Sequence, residues 1–222
     1  MNFLSIFDVI GPNMIGPSSS HTAGAVSIAL MARNLFAEDI KSVTFTLYGS
    51  FAKTYQGHGK DRAPLGGILG FATHDERIRD AFEHAKEMGV TFEYIIDDET
   101  KTNHPNTADI DIVGVSGRTM SIRGESIGGG KMKIVRIDGI DVEFTGEYST
   151  LIVRQIDKPG VIAHITQALS DQNVNIAFMR LFREDKGATA YTVVESDEAI
   201  PESVLDKIRE NKNVSDLMLI QI

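Results

Sequence analysis

The chain has 222 residues, with 22 lysines and arginines against 31 aspartates and glutamates, and a net charge of −9. Nucleic acids and anionic membranes attract clustered positive charge, so this balance argues against both as main partners. The chain has no cysteine, which excludes disulfides, thiolate nucleophiles and an iron–sulfur cluster held by its own thiolates. No apolar run approaches the roughly 18 residues of a membrane span, and the N-terminus does not resemble a signal peptide. We therefore expect a cytoplasmic protein.

The first 146 residues predict an α+β domain. Its expected elements, in chain order, are a helix from Ser20 or Thr22 to about Ala37, a strand over 43–48, a helix opened by a capping box at Thr73 and Glu76 and ended by Gly89, strands over 90–96 and 108–114, and a meander over 118–144.

Glycine content marks the predicted domain boundary. Residues 1–146 hold 18 of the 20 glycines, and only Gly160 and Gly187 follow. We therefore predict one domain over 1–146 and a second over 147–222. The second alternates strands at 148–155, 174–182, 188–195 and 214–222 with helices at 161–170 and 201–212. This βαββαβ order predicts a ferredoxin-like domain with both helices on one face of an antiparallel sheet.

The most distinctive motif is Gly-Pro-Ser-Ser-Ser-His-Thr at 16–22, directly before the first predicted helix. Free backbone N–H groups at a helix N-terminus, joined by three hydroxyls, indicate a site for a carboxylate or phosphate. A histidine beside a bound anion is suited to accept a proton. The alternative is an ordinary N-cap with surplus serines, since serine-rich caps are common.

Two further polar segments stand out. Residues 48–54 follow the strand over 43–48 and continue as Gly-His-Gly-Lys-Asp at 57–61, where glycines would let the backbone approach a ligand. His-Pro-Asn-Thr at 104–107 contains a proline that fixes a turn. The alternative for both is a loop that simply faces solvent. The spacing of the six histidines matches no metal site.

In the C-terminal domain, polar residues stand at the ends of apolar elements: Gln155, Asp157, Gly160 and Asn175. The loop containing Gly160 leads into a helix N-terminus, which suits a small carboxylate. From the residues alone, ordinary turn chemistry is the favoured interpretation.

These motifs together resemble a known family. Residues 18–22 (SSSHT), 49–61 (ending GHGKD) and 104–107 (HPNT) resemble the beta chain of bacterial iron–sulfur-dependent L-serine dehydratases. The C-terminal part resembles an ACT domain. The large domain resembles the allosteric substrate-binding domain also found in some phosphoglycerate dehydrogenases. The resemblance covers essentially the whole chain.

The resemblance implies that L-serine is deaminated to pyruvate and ammonia without pyridoxal phosphate. A [4Fe–4S] cluster, held by cysteines of a separate alpha chain, would act as Lewis acid on the serine hydroxyl, and this chain would be active only with that partner. We expect His21 to be the base, with no metal ligand on this chain. The residues expected to bind substrate are Ser18, Ser19, Ser20, Thr22, His58 and Gly59.

The ACT resemblance implies a second amino-acid site across a dimer interface, formed by Gln155, Asp157, Gly160 and Asn175. Serine-binding relatives often place His or Asn where this chain has Gln155 and Asp157. An alternative function is a stand-alone amino-acid sensor, which would need no partner and would leave the SSSHT and GHGKD motifs unused. A histidine-based hydrolase is a further rival, but the sequence shows no recognisable nucleophile–base–acid set.

Overall fold

The computed structural model describes residues 13–55 and 61–221. The chain divides into two compact units, Met1–Asp138 and Gly139–Ile222. Each unit combines a β-sheet with helices, which confirms the α+β fold class. The predicted domain boundary, between residues 146 and 147, lies slightly further along the chain than this division.

The first unit opens with a π-helical turn, Ser19–Ala23, that runs directly into helix α1, Gly24–Phe36. Strand β1 then leads through two short helices and a 3₁₀ turn at Glu76–Asp80 to a fourth helix and four strands. Their bounds are β1 Ile40–Tyr48, α2 Gly49–Thr54, α3 Arg62–Ile68, α4 Ala81–Glu87, β2 Thr91–Asp97, β3 Thr107–Gly114, β4 Thr119–Gly128 and β5 Lys131–Ile137.

The five strands of this unit lie in the order β2-β1-β3-β4-β5. β1 and β2 are parallel and the other pairs antiparallel. Helix α1 packs closely on β4. The approach is so close at Gly124 that a Cβ there would collide with the side chain of Ile28. A Cβ at Gly24 would likewise strike Ser126. This close approach seats the N-terminal end of α1 beside the end of β4.

Gly66 and Gly67 lie inside α3, a helix that was not predicted from the sequence. A Cβ on Gly67 would lie 2.8 Å from Ala29 Cβ and 2.9 Å from Leu30 N of α1. Gly66 faces Ile78 at a similarly short range. These glycines therefore permit close helix packing rather than ligand approach, and that packing outweighs their low helix propensity.

The predicted capping box at Thr73 and Glu76 is wrong in detail. Asp75 caps the 3₁₀ turn, and its carboxylate accepts a hydrogen bond from Arg77 N at 3.0 Å. Thr73 instead donates from Oγ1 to Asn13 O at 3.1 Å. The turn then continues into α4, which ends near Gly89 as the sequence predicts.

The second unit contains β6, Ile140–Phe144, and the predicted βαββαβ sequence. These elements are β7 Ser149–Ile156, α5 Val161–Asp171, β8 Phe178–Arg183, β9 Thr189–Ser196, α6 Glu202–Arg209 and β10 Val214–Ile220. The strand order β10-β7-β9-β8 is fully antiparallel and confirms the ferredoxin-like arrangement. β8 starts later than predicted, because Val174 N is still bonded to Leu169 O in the turn that follows α5.

No helix among the described residues is both long enough and apolar enough to cross a membrane.

Candidate functional site

Ser18 caps the turn that carries the SSSHT motif. Its backbone is extended, with φ −138° and ψ 121°, and its Oγ accepts a hydrogen bond from His21 N at 3.2 Å. Its carbonyl accepts from Thr22 N at 2.9 Å. The cap therefore lies earlier than the predicted Ser20 or Thr22, and the histidine falls within the first turn after it.

The imidazole of His21 lies among three serine hydroxyls. Nδ1 is 3.2 Å from both Ser18 Oγ and Ser20 Oγ, whereas Nε2 is 2.8 Å from Ser50 Oγ. The ring meets Phe51 edge-on, with centroids 5.9 Å apart. The half-buried ring is thus held by polar contacts at both nitrogens and by an aromatic contact on its side.

Ser50 reaches His21 because of the sharp bend at the end of β1. Gly49 has φ +51°, and a Cβ there would lie 2.7 Å from Pro105 O. Only glycine adopts this left-handed conformation at such close range without strain. Ser50 N donates to the same Pro105 carbonyl at 2.7 Å. The bend therefore brings the HPNT turn against the segment that holds Ser50.

Ser126, which is fully buried near the end of β4, joins the remaining segments. Its Oγ donates to Ser20 O at 2.8 Å, and its N–H donates to Asn106 O at 2.9 Å. Asn106 Oδ1 is buried and has no hydrogen-bond partner among the described residues. The SSSHT turn, the Gly49-Ser50 bend and the HPNT turn therefore meet at one place.

The other predicted substrate residues are placed differently. Thr22 is 2% exposed, its methyl group packs against Gly16, and its Oγ1 has no partner in the described part of the chain. Ser19 is half-buried. His58 and Gly59 lie outside the described residues.

A small cavity adjoins the His21 ring. It measures about 10 Å³ and is lined mostly by apolar surface, from Ala25, Leu47, Phe51, Tyr55 and Pro64 together with Thr54. This volume holds at most one water molecule. The cavity is therefore too small to hold an amino acid.

Tyr48, directly before the Gly49 bend, is anchored by an ion pair. Its hydroxyl donates to Asp109 Oδ2 at 2.8 Å, and Arg123 binds both oxygens of that carboxylate at 2.6 Å. Burial, followed by the hydrogen bond to Asp109, raises the pKa of Tyr48 to about 12. The network fixes the end of β1, from which Ser50 is presented.

The residues predicted for the regulatory site fall into two groups. Gln155 is 1% exposed, and its Nε2 donates to Thr192 Oγ1 at 2.7 Å. Its Oε1 is buried without a partner among the described residues. Asp157 accepts from Arg183 at 2.9 Å, and this hydrogen bond is the main reason that its pKa is lowered. Gly160 has φ +90° and is the N-cap of α5.

Asn175 lies at the other end of the sheet. Its N–H donates to Glu198 Oε2 at 3.1 Å, just after β9 ends at Ser196. Ser196 pairs with Ser149 at the start of β7, whereas Asp157 follows its last residue. At about 3.3 Å per residue, the eight residue steps from Ser149 to Asp157 span roughly 26 Å within one chain. One small ligand cannot touch both Asp157 and Asn175 unless a second copy contributes.

Sequence comparisons place these sites in known families. The profile of the serine dehydratase beta chain matches residues 5–135, and the ACT domain profile matches residues 149–213. This chain belongs to the serine dehydratase beta chain family. The beta-chain match includes the SSSHT, Gly49-Ser50 and HPNT segments, and the ACT match includes all four predicted regulatory residues. The predicted family membership is therefore confirmed.

Individual relatives agree with the family match. The chain is 41% identical over 214 residues to the probable L-serine dehydratase beta chain of Bacillus subtilis, covering 96% of both chains. It is 41% identical over 208 residues to the L-serine dehydratase beta chain of Peptoniphilus asaccharolyticus, covering 94% of both. D-3-phosphoglycerate dehydrogenase of Methanocaldococcus jannaschii is 34% identical over 92 residues, 41% of this chain and 18% of that enzyme.

Sequence reasoning about this beta-chain family member singled out the segment over 48–54 without giving Ser50 a role of its own, and it missed Ser126. Ser50 lies 29 residues from His21 along the chain, and Ser126 lies 106 residues from Ser20. Their role depends on tertiary proximity that no local pattern records. The one available signal for Ser50 was the preceding glycine at the end of a predicted strand.

Proposed function

We propose that this chain is the beta subunit of an L-serine dehydratase, which converts L-serine to pyruvate and ammonia together with an alpha chain. The observation that carries the proposal is the His21 imidazole held by three serine hydroxyls where three motifs of the chain meet. The family match and the two relatives named as L-serine dehydratase beta chains support it.

His21 is the proposed base that removes the α-proton of serine, and Nδ1 is the atom that accepts it. The contacts at Nδ1 are both 3.2 Å, and one of them involves Ser18 Oγ, which also accepts from His21 N. The contact at Nε2 is 2.8 Å and therefore stronger. A substrate can displace the longer contacts at Nδ1 while Nε2 stays bound to Ser50. The imidazolium that forms is then stabilised through Nε2–H.

The hydroxyls of the SSSHT turn are the proposed contacts for the substrate carboxylate. Ser18 and Ser20 lie beside Nδ1, and their hydroxyls and the first amides of the turn are donors of the kind that bind anions. Ser19 and Thr22 belong to the same proposed substrate set, as do His58 and Gly59 of the adjoining loop. Serine bound here would place its α-carbon near Nδ1.

An iron–sulfur cluster does not fit the residues of this chain. The sequence has no cysteine, and the described residues contain no group of three or more His, Asp or Glu placed to hold a metal ion. We therefore assign the [4Fe–4S] cluster to the alpha chain, where it would supply Lewis-acid assistance to the departing hydroxyl. The proposed enzyme is thus a cytoplasmic heteromer whose active site is completed at the junction of the two chains.

Replacing His21 tests the assignment in the complex with the alpha chain. General acid–base catalysis contributes about 10²–10⁴-fold, so His21→Ala should lower kcat for pyruvate formation by at least ~100-fold while cluster absorbance is unchanged. The control is His84→Ala, because His84 lies on α4, contacts Glu87 and Phe71, and belongs to no proposed site. Near-normal turnover by His21→Ala would refute the assignment, and a selective loss in His58→Ala would move the base to His58.

The ACT domain is the proposed regulatory site for an amino acid such as L-serine. The unpartnered buried oxygen of Gln155 lies in the strand that leads to Gly160 and the N-terminus of α5, which suits an ammonium and carboxylate pair. Because Asn175 lies at the other end of β7, the site that uses all four residues requires a dimer. Sedimentation of the His21→Ala chain should therefore show dimerisation when millimolar L-serine is added. The same chain with Gln155→Met added should no longer dimerise in response to L-serine. A monomer under both conditions would contradict this site.

The same observation at Gln155 favours one alternative function, a stand-alone amino-acid sensor. That protein would bind L-serine and would form no pyruvate with any alpha chain. Stable anaerobic co-purification with the alpha chain, accompanied by serine-dependent pyruvate formation, decides against it.

A further inference from the structure

We infer that Ser50 is a positioning residue that fixes the tautomer and orientation of His21. The inference rests on the proposed role of His21 as the base. Among the described residues, Ser50 supplies a hydroxyl from outside the SSSHT motif, and its 2.8 Å contact with Nε2 is shorter than the 3.2 Å contacts of Ser18 and Ser20 with Nδ1.

The position of Ser50 is set by backbone interactions and not by the histidine. Its N–H donates to Pro105 O at 2.7 Å, and its carbonyl accepts from Thr54 Oγ1 at 2.7 Å. The left-handed Gly49 before it cannot carry a side chain without striking Pro105. Ser50 Oγ is therefore a preorganised point to which the His21 ring is fixed.

The hydrogen bonds of the SSSHT turn indicate which nitrogen carries the proton. Ser18 Oγ already accepts from His21 N, so its own hydrogen is available to a second partner, and Nδ1 lies 3.2 Å away. Ser20 Oγ lies at the same distance from Nδ1. We assign Nδ1 as the acceptor of these hydroxyl hydrogens, and Nε2 then carries the hydrogen that it donates to Ser50 Oγ. This tautomer keeps the Nδ1 lone pair on the side from which substrate approaches.

Loss of the Ser50 hydroxyl removes the partner that favours hydrogen on Nε2. The ring can then take the tautomer with hydrogen on Nδ1, where it cannot accept the α-proton. The imidazolium formed during turnover also loses a hydrogen-bond acceptor, and bonds to charged groups are stronger than those to neutral ones. We expect a fall in kcat of about 10–100-fold, the range that one charge-assisted hydrogen bond accounts for.

The first test measures the tautomer directly and does not depend on activity. The ¹⁵N chemical shifts of the His21 ring are recorded in the full-length chain at neutral pH, with His21→Ala providing the assignment among the six histidines. We expect a protonated Nε2 in the wild type and a mixed or reversed tautomer in Ser50→Ala. Hydrogen on Nδ1 in the wild type would overturn the inference, whether or not any variant folds.

The second test is kinetic and uses the two-chain complex. Ser50→Ala should lower kcat about 10–100-fold with KM within about threefold, and Ser50→Thr, which keeps the hydroxyl, should recover most of the loss. The matched control is Ser27→Ala, which removes a 3.0 Å hydroxyl bond to Gly130 O further along α1. Equal kcat in Ser50→Ala and Ser27→Ala would overturn the inference. If the wild-type complex forms no pyruvate, the proposed function fails, while the tautomer measurement still decides the role of Ser50.

Discussion

Gly67→Ala should loosen the packing of α3 against α1, the helix that follows directly from the turn bearing His21. The added Cβ would strike the carbonyl of Val26 and would lie 2.9 Å from Leu30 N, both backbone atoms of α1. Backbone cannot rotate away as a side chain does, so the two helices must separate.

Two opposing effects set the change in the free energy of unfolding that Gly67→Ala causes. Forcing an extra methyl group into a packed interior costs about 1–3 kcal/mol. Replacing glycine by alanine inside a helix returns up to ~1 kcal/mol through helix propensity. We expect a net loss of about 1–2 kcal/mol in the free energy of unfolding. For a unit of this size that corresponds to a fall in Tm of roughly 3–6 °C.

The neighbouring glycine supplies the matched control. A Cβ at Gly66 would meet Ile78 Cγ1 at 2.9 Å, and that side-chain atom can move. Gly66→Ala should therefore change Tm by less than about 2 °C, because the helix-propensity gain offsets a minor clash. Thermal unfolding of both variants, followed by circular dichroism, compares them. Equal destabilisation, or a Gly67→Ala chain as stable as the wild type, would refute the backbone-contact argument.

Two further predictions concern titration. The pKa of Tyr48 is about 12 in the folded chain against 10.0 ordinarily, so its contribution to stability is complete below pH 10 and is lost as pH rises towards 12. Asp109→Asn should lower the Tyr48 pKa in an ultraviolet titration, and no change would contradict the assigned hydrogen bond. The pKa of Asp157 is depressed mainly by Arg183, so its stabilising effect is present above its unfolded-state pKa and is lost as pH falls through the folded one. Arg183→Met should raise that pKa in a carboxyl NMR titration, and an unchanged value would count against the ion pair.

Alternating burial and turn chemistry made much of the fold predictable. In β1, Val43, Phe45 and Leu47 are buried while their neighbours are less so, as expected for a strand with one face against helices. The βαββαβ order of the second unit followed from the same pattern. Helix α3 was not predicted, because glycine occurs both in loops and at close helix contacts, and only the position of α1 distinguishes the two for Gly66 and Gly67.

The candidate site was only partly predictable, because some of its residues are neighbours in sequence and others meet only in the folded chain. His21 and the serines next to it are local in sequence, and the start of a helix gave them a physical role. Ser50 reaches the ring through a left-handed bend at Gly49 that packs on Pro105, and Ser126 reaches Ser20 from another strand. Such contacts arise from the assembled sheet, so no spacing rule contains them.

The central claim is that this chain is one part of a divided active site. Its most direct test is anaerobic pyruvate formation from L-serine by the beta chain alone, by the alpha chain alone and by the two co-purified. We expect pyruvate only from the combined chains. Turnover by either chain alone at the rate of the combination, or a cluster-loaded combination that forms no pyruvate, would contradict it.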